Sequence, residues 1–247
     1  KEEVMSEARG MSMKDKLISE LNSRYGSDNT DKLVRYMQRI LEINENINLT
    51  AVREEDEFLE KHIVDSLSCN DYEEFQRAKL VVDMGTGGGF PGIPLAVTNP
   101  DKNFILADSL NKRLKVINQV AEELGISNIE LIHMRAEDMG HNAKYREKID
   151  VCVSRAVASL DILSEWCLPL VKKGGYFIPY KGENAEDEIA SAETAIKVLG
   201  GDVEKIENPS QDKNAISGHR LIFIRKCNNT PKRFPRKPGI AKKSPIS

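Results

Sequence analysis

A seven-stranded, mostly parallel α/β sheet with an antiparallel last strand, preceded by a helical extension, is the fold this sequence predicts. Three observations predict it. Short apolar strands alternate with amphipathic helical patterns from Leu80 onward, a glycine cluster follows the first strand, and the last two strands succeed one another across a loop. Alternation of this kind builds a parallel sheet covered by helices on both faces. Glycines at the first strand-to-helix turn are the mark of a Rossmann-like, doubly wound sheet.

The extension comes first in the chain. The first dozen residues carry Met5, Met11 and Met13 without any pattern and take no part in the fold reading. From Lys14 to about Leu67 the spacing is helical. Leu17, Ile18 and Leu21 form one apolar patch; Leu33, Val34, Met37, Ile40, Leu41 and Ile43 form a second; Phe58, Leu59, His62, Ile63 and Leu67 form a third. Asp31 can start the second helix, and the Asn-rich run from Asn44 to Asn48 ends it.

Strands are then predicted at Leu80–Val82, Asn103–Ala107, Ile129–Met134, Ile149–Val153, Tyr176–Tyr180, Asp202–Ile206 and Arg220–Arg225. Helical patterns lie between them at Ile93–Val97, Lys112–Leu124, Leu160–Leu170 and Ala185–Leu199. In the second of these Leu114, Ile117, Ala121 and Leu124 share one face, and Gly125 suits the position just past its end. The expected organisation is a helical segment over residues 1–70, a sheet domain over 71–227 and a basic tail over 228–247.

Composition narrows the class. Hydrophobic residues make up 40% and charged residues 30%, the balance of a soluble globular protein. No apolar run approaches the roughly 18 residues of a membrane span, and the stretch from Lys1 to Asp15 lacks a signal-peptide pattern. Cys69, Cys152, Cys167 and Cys227 lie far apart with no C-x-x-C pair, which argues against zinc and disulfides and for a reducing cytoplasm. Eight of the 36 basic residues and none of the 39 acidic ones fall between Arg225 and Ser247. A cationic end on an acidic body suits a polyanionic partner, or else a solvated, disordered tail.

The segment from Asp83 to Gly92 carries most of the chemistry, with five glycines in the eight residues from Gly85. Two ligand classes compete for it. Gly87-x-Gly89-x-x-Gly92 satisfies the dinucleotide pattern, which is weak evidence alone. Asp83 favours S-adenosylmethionine: with Gly85, Gly87 and Gly89 it forms Asp-x-Gly-x-Gly-x-Gly in frame with the strand. A carboxylate there can face the cationic amino-acid end of that cofactor, directly or through water, but repels a pyrophosphate. The final antiparallel strand is likewise a feature of methyltransferase sheets rather than nicotinamide-binding ones.

Asp108 ends the next strand, 23 residues past Gly85, where a carboxylate can accept from both ribose hydroxyls. Ser109 beside it is a further cofactor-binding candidate; the alternative for Asp108 is a cap on the following helix, which Ser109 could supply instead. The third strand leads into Arg135-Ala136-Glu137-Asp138, the loop that borders adenine in this fold; the Ala136 backbone and the Glu137 or Asp138 side chain are candidates.

These residues resemble those of the RsmG (GidB) family, the 16S ribosomal RNA guanine-N7 methyltransferases. The resemblance runs from about Asn48 to Pro238. It rests on Asn48-Leu49-Thr50-Ala51, His62-Ile63-Val64-Asp65-Ser66-Leu67, the Asp83 to Gly92 loop, Asp108-Ser109, Lys112-Arg113, Ala136-Glu137, Ser154-Arg155-Ala156-Val157-Ala158, Lys181-Gly182 and Phe234-Pro235-Arg236-Lys237-Pro238-Gly239. The family usually has Ser at Thr86 and Tyr at Phe234. The resemblance implies a class I S-adenosylmethionine-dependent methyltransferase in which Gly85, Phe90, Asp108, Ala136, Glu137 and Arg155 contact the cofactor or line its pocket. It implies 16S rRNA or a small-subunit assembly particle as partner, with no membrane and no metal.

Guanine N7 is a lone-pair nucleophile without a proton, so its methylation needs alignment and desolvation rather than a general base. The sequence agrees: the fourth strand runs into Ser154-Arg155-Ala156, not the Asn-Pro-Pro-Tyr type of motif of amino-methylating enzymes. Arg155 offers donors for guanine O6 or a phosphate, and Lys181 after the fifth strand can do likewise; both are the candidate catalytic residues, each with a fold-buttressing alternative. His62 and Asp65 share a helical face, with either substrate contact or packing as their role. His133, His141 and His219 have no metal-ligand spacing and receive no role. The basic tail is the expected phosphate contact, with the target base splayed out of its loop. Competing readings are a small-molecule methyltransferase of the same fold, a dinucleotide-binding dehydrogenase or sensor, and a non-catalytic ribosome-assembly factor.

Overall fold

The computed structural model describes residues 11–209 and 218–247. Met5 lies outside the described residues, as does most of the connection between the last two strands. Helix α1 (Met13–Tyr25) is capped by the Ser12 hydroxyl, which accepts from the Asp15 N–H, and ends at Gly26. Helix α2 (Ser27–Asn44) starts at Ser27, a turn before the Asp31 start that its charge pattern suggests. It is followed by α3 (Glu55–Phe58), a π-helical turn (Leu59–Val64), α4 (Asp65–Leu67) and α5 (Glu73–Gln76). These helices bury the three predicted apolar patches: Leu17, Leu33, Met37, Ile40, Phe58 and Ile63 join one cluster with Val81, Ile93 and Leu106 of the α/β part. The helical segment therefore shares its core with the sheet.

The strands are β1 (Leu80–Met84), β2 (Asn103–Asp108), β3 (Ile129–His133), β4 (Ile149–Arg155), β5 (Val171–Lys181), β6 (Gly201–Glu207) and β7 (Arg220–Lys226). They form one sheet in the order β3-β2-β1-β4-β5-β7-β6. The pairs β1–β2, β1–β4, β2–β3 and β4–β5 are parallel, whereas β7 runs antiparallel to both neighbours. The helices between strands are α6 (Gly92–Thr98), α7 (Asn111–Glu123), α8 (Ala136–His141), α9 (Leu160–Cys167) and α10 (Ala185–Val198), with a final turn α11 (Ile240–Lys243).

Three elements depart from the sequence pattern. Helix α9 stops at Cys167 rather than Leu170, because Pro169 cannot donate to a continuing helix. Strand β5 begins at Val171 rather than Tyr176; Lys172 to Gly175 carries no apolar alternation, and the register with β4 shifts between Ile149 and Val151. Helix α8, which begins on Ala136, is too short to show a periodicity. The order of strands reverses between β1 and β4, and a ligand crevice is expected at the carboxyl ends of such a pair.

Candidate active site

A cavity of about 430 Å³ opens at that reversal. The loop after β1 forms its middle through Gly85, Thr86, Gly87, Gly88 and Phe90. The ends of β2 and β3 contribute Asp108, Ser109, Arg113, Met134, Arg135, Ala136 and Glu137. The end of β4 contributes Arg155, Ala156 and Val157, and the helical segment adds Leu49, Thr50 and His62. Trp166, Gly239 and Lys242 complete the lining.

The loop owes its shape to three attachments. Asp83 is fully buried; one carboxylate oxygen accepts from the Thr86 hydroxyl at 2.7 Å and the Gly92 N–H at 2.8 Å, closing the turn on itself. Burial outweighs those donors and pushes its pKa up to about 6. Asp108 accepts from the Gly87 N–H at 3.0 Å and the Leu110 N–H at 2.8 Å, so it ties the loop to the start of α7. Tyr36, buried on α2, donates to the Gly88 carbonyl at 2.8 Å.

Gly85 and Gly87 line the cavity, and a Cβ on Gly87 (φ +59°) would meet only the Gly85 carbonyl, 3.9 Å away. Gly89 and Asp83 do not line it. A Cβ on Gly89 would fall 2.4 Å from the Tyr36 Oη, so this glycine admits a helix rather than a ligand. One oxygen of the Asp83 carboxylate, Oδ2, is engaged beneath the loop, and the other, Oδ1, is buried without a hydrogen-bond partner among the described residues; neither belongs to the cavity lining. Phe90, Asp108, Ser109, Ala136 and Glu137 all reach the cavity. Asp138 is not among its lining residues.

The two candidate catalytic cations fare differently. Arg155 reaches the cavity, but its guanidinium is committed: it donates to Asp65 at 2.6 Å, to the Lys61 carbonyl at 2.8 Å and to His62 Nδ1 at 3.0 Å. Lys181 does not line the cavity. Its ammonium group donates to the Ala158 carbonyl at 2.7 Å and pairs with Glu188 at 2.7 Å, which pins the loop after β4 to α10. The buttressing alternative is the geometry found for Lys181.

His62 joins the site. Its ring stacks on Phe90 with centroids 4.9 Å apart and planes 14° from parallel, and its Nε2 lies 2.6 Å from the Thr50 hydroxyl. Burial, then the charge of Arg155, pushes its pKa down to about 4, so the ring is neutral at physiological pH. Asp65 is buried, and it also accepts from His219 Nδ1 at 2.9 Å.

The C-terminal segment is folded, neither a free tail nor a uniform row of phosphate ligands. Arg146 donates to the carbonyls of Gly140, Phe234 and Thr230 at 2.8–2.9 Å. Phe234 is buried, and Arg236 pairs with Glu165, itself 1% exposed, at 2.6 Å. Lys226 is fully buried. The Gly239 N–H donates to Glu137 at 3.2 Å, and Lys242 Nζ sits 5.4 Å from the Trp166 ring centre. This end therefore encloses part of the cavity.

Over residues 29–217 the chain matches the family described as rRNA small subunit methyltransferase G. The chain belongs to that family. Ribosomal RNA small subunit methyltransferase G of Clostridium novyi is 44% identical over 216 residues, covering 87% of this chain and 88% of its own. That of Alkaliphilus metalliredigens is 44% identical over 227 residues, 92% of this chain and 95% of its own. Among solved structures, cofactor-bound Rv0187 from MTB superposes with a TM-score of 0.56 at 16% identity, over 85% of this chain and 94% of that one. A putative O-methyltransferase from Klebsiella pneumoniae gives 0.52 at 13% identity, over 78% and 90%. These two share the fold, that of Rossmann-like methyltransferases.

Within this member of the methyltransferase G family, the lining residues to which the sequence assigns no role include Thr50, Thr86, Gly88 and Trp166, and Lys242 is expected from it only as a phosphate contact. Thr50 and Thr86 stood inside quoted motifs. Trp166 carried no local signal, and the cationic run around Lys242 gave no sign of a place at the cavity, since the two meet there only through the packing of the C-terminal segment on α9. Among the described residues no helix is long and apolar enough to cross a membrane, and no cluster of His, Cys, Asp and Glu could hold a metal ion.

Proposed function

We propose that this chain transfers a methyl group from S-adenosylmethionine to N7 of a guanine in 16S ribosomal RNA, presented as RNA or as a small-subunit assembly particle. The observation that carries this reading is the cavity's base inventory. The only imidazole lining it among the described residues has both nitrogens engaged, by Arg155 and by Thr50. The lining carboxylates Asp108 and Glu137 hold backbone N–H groups of Gly87, Leu110 and Gly239. Such a site suits an acceptor atom that has no proton to lose.

The residues present fit the cofactor. Gly87 lines the cavity, and a Cβ there would have no neighbour closer than the Gly85 carbonyl at 3.9 Å, so the loop backbone leaves room for a ligand to lie against it. Buried Asp108 and Glu137 suit the hydroxyl and amine donors of an adenosine and disfavour a pyrophosphate. When bound, S-adenosylmethionine supplies an electrophilic methyl group on a sulfonium. Asp108 would hold the ribose, and the Ala136 backbone and Glu137 the adenine edge. Gly85 and Gly87 would hold the amino-acid end through their backbone, with Asp83 bracing the loop from below. Phe90 and His62 form a stacked wall beside Arg155, whose charge centre lies 5.7 Å from the Phe90 ring centre. That wall excludes water and offers a planar surface for a base; the work left to the protein is alignment.

Phosphate contacts fall to cations that the fold leaves exposed. Lys232, Arg233, Lys237, Lys242 and Lys243 are exposed on the C-terminal segment, and Arg135 is exposed at the cavity rim. None of these six is paired with a carboxylate among the described residues. They give a polyanion a path to the cavity mouth.

The test is calorimetry with S-adenosylhomocysteine and NADH, then labelled-methyl transfer to small-subunit RNA and particles. Borohydride–aniline cleavage of the product maps N7-methylguanine. Binding of S-adenosylhomocysteine and cleavage at one guanine are expected. Preference for NADH, or label in an uncleaved position, rejects the reading.

A further inference from the structure

The Asn48 to Ala51 segment comes to the cavity because Asn44, buried at the end of α2, shapes the turn. Its side chain accepts from the N–H groups of Leu49 and Thr50 at 2.7 and 3.1 Å and donates to the Thr50 carbonyl at 2.8 Å. That leaves the Thr50 hydroxyl lining the cavity with two neighbours, the Val52 N–H at 3.1 Å and His62 Nε2 at 2.6 Å.

The direction of the second contact follows from the far side of the ring. Arg155 Nη2 is 3.0 Å from His62 Nδ1, and a guanidinium can only donate, so this contact is a hydrogen bond only with Nδ1 bare; the Lys61 carbonyl, the ring's other polar neighbour, accepts from Arg155 Nη1 at 2.8 Å. Arg155 cannot swing away, being held by Asp65 and the Lys61 carbonyl. The hydrogen of the neutral ring is therefore on Nε2 and points at Thr50. A hydroxyl oxygen has two acceptor sites and one O–H. Val52 and His62 fill both acceptor sites, and the O–H has no acceptor among the described residues. Thr50 presents the cavity with a hydroxyl that can donate and cannot accept.

We propose that Thr50 is a specificity-determining residue: its donor-only hydroxyl bonds the carbonyl oxygen O6 of the acceptor purine and so selects guanine over adenine. This rests on the guanine-N7 reading above. Guanine offers N7 and O6 as neighbouring acceptors, whereas adenine offers N7 beside an N6 amine donor. A freely rotating hydroxyl would serve either base; one whose acceptor sites are filled meets the adenine amine donor to donor. His62 and Arg155 are positioning residues that remove the hydroxyl's ability to accept. Sites built on a required hydrogen bond reject analogues that cannot make it far better than apolar pockets do.

The first test needs neither cofactor nor RNA. Nitrogen-15 NMR of the free protein should show His62 as the neutral Nε2–H tautomer from pH 5.5 to 8. An Nδ1–H tautomer or a protonated ring overturns the proposal. The second compares small-subunit RNA carrying guanine at the target with RNA carrying 2,6-diaminopurine, which keeps the 2-amino group and replaces O6 by an amine. Wild-type protein should bind and methylate the guanine substrate at least tenfold better. Thr50→Val should bring that ratio close to one, and Thr50→Ser should restore it, with S-adenosylhomocysteine affinity as the folding control. A ratio unchanged in Thr50→Val sinks the role of Thr50 alone. Absence of N7-methylguanine from wild-type product rejects the underlying function instead.

Discussion

The Tyr36 phenol donates to the Gly88 carbonyl at 2.8 Å, so a helix of the N-terminal segment holds the glycine loop in place. The missing side chain of Gly89 makes room for that phenol. Extension and sheet meet at the loop, and the integrity of one should be felt in the other. Tyr36→Phe leaves a buried carbonyl unsatisfied, which should cost about 1–3 kcal/mol of stability. S-adenosylhomocysteine affinity should fall several-fold with it. Thermal unfolding and calorimetry check both, and wild-type values in the two would uncouple helix from loop.

Asp108 serves two partners at once, and its removal should show in two measurements. Asp108→Ala strips the acceptor from the Gly87 and Leu110 N–H groups and the carboxylate from the cavity. Stability should drop by about 1–2 kcal/mol, on the scale of a lost helix cap. Cofactor affinity should drop by a further 1.5–3 kcal/mol, roughly the worth of a charged hydrogen bond. A stability loss with no loss of affinity would leave Asp108 a cap only.

Asp83 makes stability depend on pH with a definite sign. Its carboxyl binds a proton more tightly folded, at about pH 6, than at its ordinary value of 3.8. Between those values the folded state carries the extra proton, so this group's contribution is full below about pH 4 and is lost as pH rises through 6. Asp83→Asn abolishes the effect while keeping one oxygen for Thr86 and Gly92. The variant should therefore gain on wild type as pH rises from 4 to 7, by up to ~3 kcal/mol. Urea unfolding at intervals across that range measures the difference; a flat difference contradicts it.

The parts of the fold and site visible in the sequence are those set by local pattern. The seven strands, the antiparallel β7 and the cavity positions of Gly85, Gly87, Phe90, Asp108, Ala136 and Glu137 follow from a strand-to-loop frame that repeats along the chain, whereas the order of the strands in the sheet comes from the structure alone. What the sequence hid is which partner each polar side chain finds across the fold. Asp83 looks like a ligand carboxylate until Thr86 and Gly92 close on it, and Lys181 looks catalytic until Glu188 and Ala158 claim it. His62 could be read as packing or contact because the deciding neighbour, Arg155, lies 93 residues away. Arg146 and Glu165 gave no sign that they would anchor the chain's end, although an aromatic and two prolines from Phe234 to Pro238 are unlike a solvated tail.

That anchored end leads to the sharpest departure from expectation. On sequence alone, removing everything after Arg236 should spare cofactor binding, because a tail of cations would touch only RNA. In the structure the cut removes the Gly239 N–H from Glu137 and takes Gly239 and Lys242 from the cavity lining, while Phe234 and Arg236 keep their anchors. Affinity for S-adenosylhomocysteine should therefore fall by about three- to tenfold, the scale of one modest hydrogen bond and some reduced enclosure. RNA binding should weaken separately: Lys237, Lys242 and Lys243 go with the cut, and the slope of log K against log salt should flatten by roughly 0.7–0.9 for each phosphate left unneutralised. The full-length double variant Lys237→Gln/Lys243→Gln separates the two effects, since neither residue lines the cavity and Gly239 stays in place. It should flatten the salt slope with cofactor affinity close to wild type. Wild-type cofactor affinity in the truncated protein would detach the segment from the site, and identical salt slopes in all three proteins would remove its cations from RNA binding.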